Sequence, residues 1–429
     1  MSSTKSIQKM FNLFFAALLM AGCSGTSIGL TAQSTSVLPT ATLTNIPSTA
    51  TTIPSTATPI TPKVAKFFVA GKPFEFVGAF IPGWYWGSDN RTNDQTDVQL
   101  LESLKQAGIT VLHLMPPSLL GAKFGVYNES EFKKLDFFLD QASKQNIRVI
   151  IPFIHGLAMT QPGHEPLYSP YGIETLIKDQ DFKNGFVSYM LGVVNRVNSI
   201  NGKKYSDDPT ILGWEIIEEP ISGDHNYPQR PPDVTQFEVR QWLDEMAKDL
   251  KTVDSKHLVG VQFAASIEGA PELEDKNSSI LDTPSLDFIE IEDGDVRVLQ
   301  TERSNHLYDL AFESGKPVIL FISFTGLSYP DPGQSTPNEA RLMKVCNDYS
   351  WQANTLTSEF SAYHKKGAAG YFFFSWRVPG KQPNPMDKCF SYSLDIPLIV
   401  QSFQQMNVDL GSLNSPGSGF AEVRLVDNP

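Results

Sequence analysis

Eight short apolar runs, most of them followed by a stretch with helical spacing, constrain this chain's fold more than any other feature. They are Phe74–Phe80, Thr110–Met115, Arg148–Phe153, Ile211–Ile217, Leu258–Phe263, Phe288–Glu292, Pro317–Phe321 and Ala369–Phe374. Each has the length of a strand and the near-continuous apolar character of a strand buried on both faces, as parallel sheets require. Between them, Phe132, Leu135, Phe138, Leu139 and Ala142 fall on one face of a helix. A second helix is expected from Phe182 through Val197, with its cap near Asn201-Gly202. Eight strands alternating with helices over roughly 340 residues predict a (β/α)8 TIM barrel with long loops. A doubly wound open sheet would call for a glycine-rich phosphate turn after an early strand, and no GxGxxG is present.

The residues before the barrel read as export and tethering signals. Lys5 and Lys9 precede an apolar run, Phe11 to Ala21, too short to span a bilayer comfortably. Met20-Ala21-Gly22-Cys23 resembles a bacterial lipobox, which implies a signal peptide over 1–22 and a lipidated Cys23 holding the protein to a membrane surface. From Ser24 to Pro62 there is no charged residue, and IPSTAT occurs at Ile46 and again at Ile53. Such a tract buries too little apolar surface to fold, so 23–62 is expected to be a disordered Thr/Ser/Pro-rich linker. The barrel domain is expected over 63–410, and the Gly/Ser-rich residues 411–429 are expected to form a flexible tail. Cys346 and Cys389 either bridge in an oxidising compartment or remain two free thiols; the spacing leaves both open. The net charge of −13 argues against a nucleic-acid partner. Together these features predict an extracytoplasmic, lipid-anchored monomer.

Function is concentrated where the fourth run ends. Straight after Ile211-Leu212-Gly213-Trp214 come Glu215, Glu218 and Glu219, then Pro220. Carboxylates at the C-terminal end of a buried parallel strand lie where a (β/α)8 barrel does its chemistry. The segment VVNRVNSINGKKYSDDPTILGWEIIEEP, Val193 to Pro220, resembles glycoside hydrolase family 5, in particular its endo-β-1,4-mannanase branch. Weaker echoes are GKPFEFVGA, GITVLHL, KHLVGV, LDFIEI and GKPVIL, beginning at Gly71, Gly108, Lys256, Leu286 and Gly315. The resemblance implies hydrolysis of a β-linked mannan or related glycan by two carboxylates, without a cofactor. It maps the family's acid/base onto Glu219, a role that needs a pKa raised by burial or by a negative neighbour such as Glu218.

The family pattern breaks at several points. Glu218 stands where the family has asparagine, so it offers no amide donor to a sugar hydroxyl. The family's nucleophilic glutamate on the seventh strand is missing from Lys316 to Gly326, and Ser323 is the nearest positional stand-in. A serine hydroxyl without a base is a poor nucleophile for this reaction. The His-x-Tyr of the sixth strand is replaced by Glu292-Asp293-Gly294, and the second strand's arginine by His113. Two outcomes fit these changes: a rebuilt site with Glu292 or Glu290 as second carboxylate, or a non-catalytic glycan-binding protein that keeps the cleft. Trp84, Trp86, Tyr227 and Trp376, near strand C-termini, are candidate platforms for sugar rings, with Glu218 and His113 as polar partners. His155, His164, His225 and His257 show no HExxH or similar spacing, so no metal is expected.

Overall fold

The computed structural model describes residues 65–86, 93–159, 166–169, 171–220, 233–264, 280–293, 302–323, 348–374, 376–377, 392–393, 396–411 and 423–425. All of them belong to the second of two units, 1–62 and 63–429, into which the chain divides. Cys23, Tyr227, Cys346 and Cys389, and the tract expected to be a linker, lie outside the described residues.

All eight apolar runs are strands. We label them β1 (Phe76–Ile81), β2 (Val111–Leu114), β3 (Arg148–Pro152), β4 (Ile211–Glu218), β5 (Leu258–Ala264), β6 (Phe288–Asp293), β7 (Val318–Ser323) and β8 (Gly370–Phe374). They pair in parallel in sequence order, and β8 closes on β1, for example through Phe372 opposite Gly78. The protein is therefore a (β/α)8 barrel. Helices cover its outside: α1 (Asp94–Gln106), α2 (Glu129–Lys144), α3 (Gln180–Val194), α4 (Gln236–Val253), α5 (Glu302–Glu313), α6 (Tyr349–Lys366) and α7 (Pro397–Asp409).

The amphipathic pattern explains their docking. On α2 the five residues of the apolar stripe are all buried, together with Asp136. α4 begins with a capping box, Thr235 and Glu238 each satisfying the other's backbone N–H. α3 stops at Val194, earlier than the apolar spacing suggests. Beyond it the Asn198 side chain accepts from the N–H groups of Ile200 and Asn201, offering the backbone a turn instead of another helical residue.

Inside the barrel, strand side chains point alternately in and out. Phe76, Phe80, Val111, Ile150, Leu212, Leu258, Phe288, Ile319, Phe321 and Phe372 form a buried inner cluster. Large rings fit because glycines face them: a Cβ on Gly260 would lie 2.3 Å from the Phe288 ring. A hairpin, Phe67–Val69 with Lys72–Phe74, lies at the N-terminal end, and Phe67 packs 6.2 Å from Phe288. Val423–Arg424 adds a third strand against Phe68 and Val69. The expected flexible tail thus needs correcting, because two of its residues are held by strand pairing.

Candidate active site

The fold gathers its carboxylates through a break in strand alternation. Glu215 and Glu218 are three residues apart, which would place them on opposite faces of a regular strand. A register shift between β4 and β5 falls between them, and both meet His113 of β2 inside the barrel. Trp214 points the other way, its indole N–H donating to Asp254 at 2.8 Å.

His113 is wholly buried, with the ring edges of Phe80, Phe321 and Phe372 around it at centroid distances of 5.1, 6.1 and 5.6 Å. Its Nδ1 lies 2.9 Å from Glu290 Oε1 on β6, and its Nε2 lies 2.7 Å from Glu218 Oε1 and 3.4 Å from Glu215 Oε2. Burial alone would lower the imidazole pKa, but the charges of Glu290 and Glu215 outweigh it and hold it well above 6.5. Burial, reinforced by Glu290, pushes the Glu215 carboxyl well above its ordinary value. One histidine and three glutamates therefore form a polar layer above the apolar interior.

Glu219 and Glu292 lie beyond that layer, at the C-terminal ends of β4 and β6. Glu219 has a left-handed backbone, φ 49°, a conformation costly for a residue with a side chain and often found at functional sites. Two contacts impose it. Its N–H donates to the Gln262 carbonyl at 2.9 Å, and its own carbonyl occupies space that only a glycine at position 156 leaves open, 2.3 Å from where a Cβ would stand. Glu219 keeps partial exposure at the mouth while protein closely surrounds its carboxyl. Burial and the charge of Glu218 raise its pKa to about 7, and a hydrogen bond with Glu292 partly offsets them. Glu292 is raised well above 4.5 by burial and by the charge of Glu219. Two carboxyl groups in hydrogen-bond contact cannot readily both ionise, so ionising either one opposes ionising the other. Gln262 Nε2 donates to Glu292 Oε2 at 3.1 Å and fixes the pair from β5.

Other site expectations fare unevenly. Trp86 is core, not a sugar platform: it is 6% exposed, donates to the Met115 carbonyl at 2.8 Å and packs edge-on against Phe138. His113 and Glu218 are also sealed from solvent, at 0% and 1% exposure, so they serve the buried layer rather than touch a sugar. Trp84 lies in the turn Gly83–Trp86 after β1, Ser323 ends β7 and Trp376 follows β8, but their side chains fall outside the described residues. Gln262 escaped the sequence reading. Its signal was present: with Leu258 and Gly260 it shares the inward face of β5, where a polar side chain at the strand end is unexpected in a core.

Comparison with known proteins follows the same line. The family model for GH family 5 β-mannosidase-like proteins matches residues 171–290. Mannan endo-1,4-beta-mannosidase 5 of Arabidopsis thaliana is 24% identical over 361 residues, covering 74% of this chain and 78% of the relative. Mannan endo-1,4-beta-mannosidase 7 of Oryza sativa subsp. japonica is 28% identical over 211 residues, 46% of this chain and 52% of the relative. The chain spans about half the length of the first curated relatives it matches. Among solved structures, the endo-1,4-beta-mannanase from Rhizomucor miehei superimposes with a TM-score of 0.58 at 21% identity, covering 81% of this chain and 98% of that one. Residues 171–290 thus match the glycoside hydrolase family 5 β-mannosidase-like model, and the chain is similar in sequence to plant mannan endo-1,4-beta-mannosidases and in fold to an endo-1,4-beta-mannanase.

Proposed function

We propose that the protein hydrolyses β-linked mannan or a related β-glycan, with Glu219 as acid/base and Glu292 as the second carboxylate. The observation that carries this reading is the hydrogen-bonded Glu219–Glu292 pair at the C-terminal mouth. We take the retaining route, in which one carboxyl donates a proton and the other attacks, as the one this pair would follow. The substrate's glycosidic oxygen would take a proton from Glu219 while the Glu292 carboxylate attacks the anomeric carbon. The C–O bond breaks, the leaving alcohol departs, and a glycosyl ester forms on Glu292. Water, losing a proton to Glu219, then displaces Glu292 and restores the pair with retention. Gln262 holds Glu292 in line.

Release of reducing ends from mannan, glucomannan and cellulose tests the reading. Wild type is expected to release them from mannan, and E219Q to lose at least about 100-fold, the scale of a general acid's contribution. A wild type that binds mannan without turnover would favour the second reading, a non-catalytic glycan-binding protein, which the lack of a carboxylate from Lys316 to Gly326 supports. We propose also that lipid on Cys23 anchors the protein outside the cytoplasm, on the strength of the lipobox-like Met20 to Cys23.

A further inference from the structure

We propose that His113, Glu215 and Glu218 bind a divalent first-row transition-metal ion inside the barrel, one layer beneath the Glu219–Glu292 pair. One ligand atom from each residue lies within 4.8 Å of the others, and all three side chains are buried. A second observation points to the same spot. Both oxygens of Glu215 and Oε2 of Glu218 are buried and have no hydrogen-bond partner. Glu218 Oε1 pairs with Nε2 at 2.7 Å, which leaves the other carboxylate oxygens without a partner. Buried polar atoms left unpaired are costly, and these belong to two of the three residues whose ligand atoms converge.

The other face of the ring fits the same picture. Nδ1 is hydrogen-bonded to Glu290 at 2.9 Å. An entering cation would displace the Nε2 proton while Nδ1 keeps its proton on Glu290, giving the carboxylate–histidine–metal arrangement by which proteins orient a ligating imidazole. The 3.4 Å from Nε2 to Glu215 fits the ~3.4 Å edge of a tetrahedral site whose donors stand about 2.1 Å from the ion, and Glu218, now 2.7 Å from Nε2, would shift outward by less than about 1 Å to join it. One imidazole with two carboxylates suits Zn2+, Mn2+ or Fe2+ better than an all-oxygen calcium cage or a thiolate-seeking copper(I). A dication would also offset much of the negative charge that Glu215, Glu218 and Glu290 bring into an apolar barrel.

The test uses the full chain, purified from medium containing Zn2+ and Mn2+, passed through gel filtration and assayed for metal by mass spectrometry. About one equivalent per chain is expected, and H113Q should retain only background. Pulsed EPR of the Mn2+-loaded protein should show coupling to an imidazole nitrogen, absent in H113Q. E290Q keeps all three ligands but loosens the ring, so its affinity should fall roughly 10–100-fold; this variant decides the matter if H113Q does not fold. Folded wild type without retained metal, nitrogen coupling that survives in H113Q, or E290Q with unchanged affinity would each overturn the proposal.

Discussion

At the scale of single residues, the site is a contest between burial and charge. Glu219 takes a backbone conformation that few non-glycine residues adopt, held by Gly156 and the Gln262 carbonyl. Its pKa of about 7 stands above the ordinary 4.5, so the folded state binds that proton more tightly than the unfolded chain does. The resulting stabilisation is complete below about pH 4.5 and is lost as pH rises through about 7. Urea midpoints of wild type should therefore drop more between pH 4.5 and pH 8 than those of E219Q; equal drops would contradict the assignment. Glu219 was legible in sequence because Pro220 and the strand before it frame it. The burial of His113 and Glu218 was not, because a strand pattern gives no depth and the register shift in β4 has no sequence mark.

Among elements, the eight strands were readable almost to the residue because a parallel barrel buries both faces of each. The dense match from Val193 to Pro220 turns out to be mostly scaffold. Asp136 on α2 accepts from Arg196, Ser199 and Tyr205, the last at 2.6 Å, while Asp254 accepts from Trp214 and sits 2.6 Å from His257 Nδ1. These contacts fasten α3 and its following turn to α2, and β4 to the start of β5, which presents Glu219 at the mouth. The interior depends equally on what is absent from β5: a methyl at position 260 meets the Phe288 ring at 2.3 Å. G260A should cost about 1–3 kcal/mol in urea unfolding, the usual range for overpacking a filled core. An unchanged midpoint would mean that the layer is looser than its geometry.

On the scale of the whole molecule, alternation of strand and helix foretold the barrel, while the site had to be assembled from strands far apart in sequence. Glu290 is 177 positions from His113, and a search for local metal spacing could not join them. The same holds for Glu292 and Glu219, which come from different strands. Only the second carboxylate's strand was open to a guess, from the acid-rich run starting at Glu290. The proposed export and anchoring are tested on the whole chain: C23S should move the protein from the membrane fraction to the soluble one and abolish labelling by fatty acid. Unchanged fractionation would remove the anchor from the account.

The central claim is that Glu219 and Glu292 cleave a β-glycosidic bond as a pair. Proton NMR of the anomeric region, recorded while the protein acts on a β-1,4-mannan oligosaccharide, tests it most directly. The β-anomer should appear first, and E219Q and E292Q should each lose at least about 100-fold in product release. An α-anomer appearing first, a silent wild type, or an E292Q variant as active as wild type would contradict it.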